Sequence, residues 1–216
     1  MAVAPLTVND RRNATVTFLE PAFMTFDLAM LMRQRDVSRD VQSFDDLNKE
    51  GQTKYTYGVV EGGSTARYFS RSSYYNMESK MNTVQNIEEG VRRVRGSTDR
   101  HPYIFIGEQH TLEYHASQKP CDLTVVYGKA ADLSSGSRRP AEYHLAVKKN
   151  YNPTVLDKLE TAIVKLNESG RLDQLYTKWW KDRSQCSRAP PSTVITSGTA
   201  ILVPILFAVL SRLSGQ

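Results

Sequence analysis

Apolar residues follow two rhythms along this chain, a two-residue alternation near its start and a helical spacing toward its end, with several compact apolar runs between. The first short run ends at Pro5-Leu6-Thr7 and gives way to Asn9-Asp10-Arg11-Arg12, which predicts a strand leaving a core and turning, with Arg12 just past the strand end. From residue 15 to 32, Val16, Phe18, Phe23, Met24, Phe26, Leu28, Met30 and Leu31 mostly alternate and the pattern breaks at Pro21, so two strands joined by a bend are expected. Residues 33–46 are charged and polar with neither Gly nor Pro and read as a connector into a short helix at 44–49.

The stretch at 55–69 changes character within a few residues. A β-prone run ends at Glu61, Gly62 and Gly63 allow a sharp turn, and Ser64-Thr65 open a helical segment expected over 65–72, followed by packed aromatic residues at 74–81. The first amides of a helix lack intrahelical partners and carry the positive end of its dipole, so this turn is either an ordinary capped helix start or a place for an anion. Ile87, Val91 and Val94 share one face of a peripheral amphipathic helix. Tyr103-Ile104-Phe105-Ile106 is a buried-strand run that delivers Glu108 at its carboxyl end, a frequent placement for a site residue in α/β proteins. Further strands are expected at 123–127 and 143–147, with a polar loop at 130–140. Pro153 opens a helix with Leu156, Leu159, Ile163 and Leu166 on one face; Gly170 stops it before Leu172, Leu175 and Trp179 continue the stripe, and Trp180 packs on the same surface.

The charge of +5 is scattered, without a Lys/Arg run, so small anions are better partners than nucleic acid. Arg12 could clasp a carboxylate through two parallel charge-assisted bonds. Two cysteines, Cys121 and Cys186, exclude a multi-cysteine zinc site and permit one disulfide, and the sequons at Asn13 and Asn167 lean the same way, toward an oxidising, extracellular setting. His110, Glu113 and His115 lack the His-Glu-x-x-His spacing and read as exposed polar residues, so no metal and no cofactor are expected. Neither a nucleophile–base pairing nor a phosphate-loop lysine argues for an enzyme. After a Ser/Pro/Thr-rich linker, the apolar run at 199–210 reaches membrane-span length only by recruiting its neighbours, leaving a transmembrane helix or a lipid-anchor tail as alternatives.

Several motifs in order now carry a resemblance. They are Pro5-Leu6-Thr7 with Arg12, the turn Glu61-Gly62-Gly63-Ser64-Thr65, Glu88-Glu89-Gly90, Glu108 after its strand, Lys119-Pro120-Cys121-Asp122, and Gly170-Arg171-Leu172 with Lys178-Trp179-Trp180 and Cys186. Together, from residue 2 to 186, they resemble the ligand-binding core of ionotropic glutamate receptors. The resemblance implies an α/β clamshell of the periplasmic-binding-protein type closing on L-glutamate or a related amino acid. It gives Arg12 the ligand α-carboxylate, helped by Thr7 and the backbone at Ser64. The ammonium group goes to the Pro5 carbonyl, Thr7 and Glu108, and the distal carboxylate to Ser64 and Thr65. Gly63 and Tyr143 support these groups from behind, and Cys121 pairs with Cys186. It further implies a tetramer with other receptor subunits and a plasma-membrane location with the binding region outside the cell.

Departures from that pattern are as specific. The family's earlier segment, which supplies most of the first lobe, has no counterpart before Pro5, and residues 33–40 stand where the family inserts its pore helices. The expected organisation is therefore a partial first lobe at 1–26, a second lobe at 27–142, return helices of the first lobe at 143–186, a linker at 187–198 and an apolar transmembrane or anchor helix at 199–213. It reads as a glutamate-gated channel subunit's binding region that conducts nothing as written, or as a membrane-attached binding module or decoy.

Overall fold

In the computed structural model, residues 2–37, 41–70, 74–127 and 141–186 are described. Two sheets organise them. The first is built around β9 (Ala141–Lys148), which pairs antiparallel with β1 (Ala2–Leu6) on one side and β2 (Val16–Phe18) on the other, while β3 (Met24–Phe26) pairs with its first residues, Met24 opposite Tyr143 and Phe26 opposite Ala141. The second has the order β6 (Asn82–Val84), β5 (Thr56–Val60), β7 (Tyr103–Glu108), β4 (Leu28–Arg33), β8 (Leu123–Tyr127). β5 runs parallel to both β6 and β7, and β4 antiparallel to β7 and β8. The chain leaves the first sheet at Asp27 and re-enters it at β9.

The alternation in Leu28-Ala29-Met30-Leu31-Met32 becomes a division of labour between two cores. All six residues of β4 are buried, because both faces of the sheet are covered. Leu28, Met30 and Met32 pack with Phe44, Phe69, Ile104 and Ile106, whereas Ala29 and Leu31 pack with Val91, Val94, Phe105 and Leu112. A third cluster, Leu19, Val147 and Ile163, seats the apolar stripe of α7 (Pro153–Glu168) on the first sheet. Helix α2 (Phe44–Asn48) starts in a reciprocal capping box: the Ser43 hydroxyl accepts from the Asp46 amide and the Asp46 carboxylate accepts from the Ser43 amide.

Four elements depart from the sequence expectation. Residues 10–15 form helix α1 (Asp10–Thr15), capped by Asn9 accepting from the Arg12 amide at 3.0 Å, so Arg12 rides on a helix and not on a strand end. Residues 15–32 contain three strands rather than two, since β3 and β4 belong to different sheets. Gln109–Ala116 is a helix, α6, and β6 is a three-residue edge strand that among the described residues pairs with β5 alone. The 44–49 helix, the strands at 55–60, 103–106, 123–127 and 143–147, and the helices from Pro153 onward match. The turn helix is α3 (Ser64–Ser70), followed by the short α4 (Tyr75–Glu78), the amphipathic one is α5 (Ile87–Gly96), and the last stripe is α8 (Arg171–Tyr176), prolonged by a wider π-turn, Thr177–Asp182. Of the tryptophan pair, Trp180 is partly buried while Trp179 is 43% exposed under the Arg183 guanidinium, so only Trp180 packs as expected.

Cys121 and Cys186 form a disulfide with a Cα–Cα distance of 5.5 Å. The expected 130–140 loop, the 187–198 linker and the apolar helix at 199–213 lie outside the described residues, among which no helix is long and apolar enough to cross a membrane.

Candidate functional site

A cavity of about 370 Å³ gathers residues from both parts of the fold. Arg12 lines it from α1, beside the first sheet. Gly63, Ser64 and Thr65 line it from the turn into α3, Asn86 and Ile87 from the start of α5, and Glu108 with Thr111 and Leu112 from the junction of β7 and α6. Five residues that the sequence nominated, Arg12, Gly63, Ser64, Thr65 and Glu108, therefore share one wall system although 96 positions separate the first from the last.

The local chemistry explains how each is held. Thr7 fixes the guanidinium: Arg12 Nη1 donates to the Thr7 carbonyl at 2.9 Å and to its Oγ1 at 2.8 Å. This uses one corner of a five-donor fork whose geometry suits a carboxylate. The turn before α3 bends at Gly62, whose φ of +66° a side chain would strain. Behind it, Glu61 N–H donates to the Val84 carbonyl of β6, so the turn is tied to the sheet edge. Thr65 is buried at 8% exposure, and the first amides of α3 have no intrahelical acceptor, so hydroxyl and amide donors converge at this corner.

Glu108 completes the set. Its Oε1 accepts from Ser64 Oγ at 3.3 Å, and its Oε2 accepts a very close bond from the Tyr143 hydroxyl of β9. Burial first, and then that bond, push the Tyr143 phenol well above its usual range, so it remains a proton donor. The cavity thus presents a cation at Arg12 and an anion at Glu108, with the Ser64 and Thr65 hydroxyls on the same lining, which suits a zwitterion carrying a further acidic group.

Pro5 belongs to β1, two residues from Thr7. Asn13, one residue beyond Arg12, and Asn167, near the end of α7, are both exposed. Sequence reasoning missed Gln85, Asn86, Ile87, Thr111 and Leu112 as lining residues. Asn86 carried a usable signal, since it is the N-cap of α5, accepting from the Glu89 amide at 2.9 Å, a second helix start aimed at the same space.

The reading of His110, Glu113 and His115 as exposed polar residues is overturned. Glu113 accepts from Gln109 Nε2 at 2.9 Å, the Tyr127 hydroxyl at 2.9 Å and the Tyr176 hydroxyl at 2.8 Å, and pairs with His110 Nδ1 at 3.3 Å. Burial alone would raise this carboxyl, but the donors, His110 foremost, bring it down to about 2.

Comparison with known proteins gives these features a family. Residues 1–182 match the model of bacterial extracellular solute-binding proteins, family 3. Glutamate receptor 3 of Rattus norvegicus is 32% identical over 171 residues, covering 75% of this chain and 18% of the receptor, and glutamate receptor 3 of Homo sapiens is 31% identical over the same length. The chain thus spans under a fifth of the length of these curated relatives. Among solved structures, the Drosophila muscle GluRIIB complex with glutamate superposes with a TM-score of 0.67 at 29% identity, over 83% of this chain and 67% of that one. The chain belongs to family 3 of the extracellular solute-binding proteins, in the ligand-binding form of the ionotropic glutamate receptors, which are binding proteins and not enzymes.

Proposed function

We propose that this protein is an amino-acid receptor module that holds L-glutamate, or a closely related acidic amino acid, in the cavity between α1 and α3. Arg12 takes the α-carboxylate with Thr7 and the Ser64 amide beside it. Glu108, Thr7 and the Pro5 carbonyl take the ammonium group, and Ser64 and Thr65 take the distal carboxylate. The observation that carries this reading is that Arg12, Glu108 and the Ser64-Thr65 helix start line one cavity. A glutamate zwitterion presents one group to each: a carboxylate for the guanidinium, an ammonium for the Glu108 carboxylate and a second carboxylate for the helix start. Each charge-assisted bond contributes about 1.5–3 kcal/mol, enough that several from both parts of the fold offset the cost of ordering the ligand.

The finer reading is a pore-free receptor module. Strand β4 ends at Arg33 and α2 begins at Phe44, so residues 34–43 connect them, far fewer than the about 20 that one membrane span needs. Assembly with other receptor subunits, an extracellular site and membrane attachment through residues 199–213 belong to the same proposal, supported by the receptor relatives and by the disulfide.

The test is calorimetric titration of L-glutamate into the folded protein beside Arg12→Ala and Glu108→Ala. Micromolar or tighter binding, about −8 kcal/mol, reduced at least about a hundredfold by either substitution through loss of two charge-assisted bonds, supports the assignment. A folded protein that gives no heat, or variants that bind as well as the parent, would end it. Expression of the full chain in oocytes with glutamate application separates the finer readings: a glutamate-gated current from this chain alone would exclude the pore-free module.

A further inference from the structure

Two residues beyond Glu108, His110 sits in the first turn of α6 and meets two acceptors at once. Its Nε2 lies 2.9 Å from the Thr25 carbonyl of β3, and its Nδ1 lies 3.3 Å from Glu113 Oε2. A carbonyl oxygen can only accept, and so can an ionised carboxylate. A neutral imidazole has one N–H and one lone pair, so it can satisfy one of these neighbours while its lone pair faces the oxygen of the other. Only the imidazolium donates to both.

The surroundings make that choice matter. The His110 ring is packed edge-on against Tyr176 of α8 at 5.1 Å and Trp180 of the π-turn at 6.3 Å, while Trp180 Nε1 donates to the His110 carbonyl at 2.6 Å. The side chain is 15% exposed, so water replaces a lost partner poorly. The charged and titratable groups facing it are few. On α6 there is Glu113. Between β3 and β4 there is Asp27, whose charge favours the cation and whose carbonyl accepts from the Gln109 amide at 2.8 Å. On α8 there are Asp173, which lines one cavity with His110, and the Tyr176 hydroxyl, already donated to Glu113; the Lys181 ammonium lies 5.7 Å above the Tyr176 ring. The acidic groups outweigh the single cation, and the Glu113 bond, against the opposing effect of burial, raises His110 above the usual imidazole range.

We propose that protonated His110 is a positioning residue for the ligand site: by bridging Thr25 of β3 and Glu113 of α6, it ties the start of α6, and with it Glu108, to β3 and to the helical return, and releases that tie when it loses its proton. This inference rests on the proposed amino-acid site for its consequence, because Glu108 is the residue whose placement would change. The direction follows from linkage. A group whose folded pKa is raised contributes fully below its unfolded value of about 6.5 and loses the contribution as pH rises through the folded value. Glu108 is therefore held best below the ordinary imidazole value, and the site loosens as pH rises through the raised one.

The experiment combines NMR of the histidine side chains and backbone amides from pH 5.5 to 9 with L-glutamate titrations across the same range, on the parent protein, His110→Gln and Glu113→Gln. The His110 imidazole is expected to titrate above its ordinary value of about 6.5, with the Glu108 and Gln109 amides shifting at the same midpoint and glutamate affinity falling about fivefold across it. In Glu113→Gln the His110 midpoint drops toward 6.5. In His110→Gln, which cannot change charge, the Glu108 amide and the affinity lose that step while the protein stays folded. A His110 midpoint at or below 6.5, or Glu108 amides that ignore it, would overturn the proposal. If glutamate binds at no pH, the proposed function fails, and the NMR midpoint with the Glu108 response still decides whether His110 positions that residue.

Discussion

Gly90 lies inside α5, where replacing glycine with alanine normally stabilises a protein by about 1 kcal/mol. Here the opposite is expected. A Cβ built on Gly90 would stand 2.5, 2.6 and 2.7 Å from the Cε2, Cδ2 and Cζ atoms of Phe105, against a comfortable carbon–carbon separation of about 3.5–4.0 Å. The ring cannot step aside: Phe105 is 1% exposed on β7, a strand held between β5 and β4. Helix α5 must therefore back away by about 1 Å, thinning the contacts of Val91 and Val94 in the same core. Overpacking of this kind costs about 1–3 kcal/mol. With the ring unable to yield, the cost falls in the upper part of that range, about 2–3 kcal/mol, so after the propensity gain of about 1 kcal/mol the net loss is about 1–2 kcal/mol, a fall in Tm of roughly 2–8 °C for a chain of this size. Gly96 provides the internal control, because a Cβ there meets nothing within 4 Å, and Gly96→Ala should leave stability unchanged or raise it slightly. Urea unfolding followed by far-UV circular dichroism, with Tm by calorimetry, compares the two. Restoration of stability in Gly90→Ala/Phe105→Leu would locate the clash on that ring. Should Gly90→Ala match or exceed the parent in stability, the close approach of α5 to β7 is wrong.

Two further outcomes follow from other contacts. Asp46 accepts from the Gln42 and Ser43 amides, the Ser43 hydroxyl and Lys49 Nζ, and although burial opposes it, these donors bring its carboxyl to about 2. With the folded value depressed, its contribution is present above the unfolded value near 3.9 and disappears as pH falls through 2; Asp46→Asn should cost about 1 kcal/mol at pH 7 and almost nothing at pH 2 in parallel urea titrations, and equal costs at both would refute the capping-box account. The Cys121–Cys186 bond closes a separation of 65 residues, which in the chain-entropy model is worth about 4 kcal/mol, so Cys121→Ser/Cys186→Ser should lower the urea midpoint markedly; a midpoint within error of the parent would mean that the unfolded chain is already constrained there.

Periodicity alone was enough to find most of the elements. The alternation at 28–32, the run at 103–106 and the stripe from Leu156 to Ile163 each describe a surface that water must leave, and such surfaces persist in any compact arrangement of the chain. What it did not show were α1 and α6, whose residues bury almost nothing: no residue of α1 is buried, and Leu112 is the single buried residue of α6. Those helices exist because Asn9 caps one and because the side chains of the other find Thr25, Tyr127 and Tyr176 on distant elements. The two-strand reading of 15–32 failed for a related reason, since nothing local distinguishes a bend within a sheet from a passage between two sheets.

The candidate site divides along the same line. By itself the sequence determined which residues could do the chemistry, because a guanidinium, a carboxylate at a strand end and a hydroxyl pair at a helix start are legible as residue types in local patterns: Arg12, Glu108, Ser64 and Thr65. Tertiary structure alone decided that Thr7 would fix Arg12, that Tyr143 and Ser64 would hold the two oxygens of Glu108, and that Asn86, Thr111 and Leu112 would wall the cavity. It also turned His110 and Glu113 from apparent surface residues into a partly buried, hydrogen-bonded junction. The physical reason is that a hydrogen-bond partner or a local dielectric is a property of the space around a group, and that space is assembled from residues a hundred positions apart only when the sheets close.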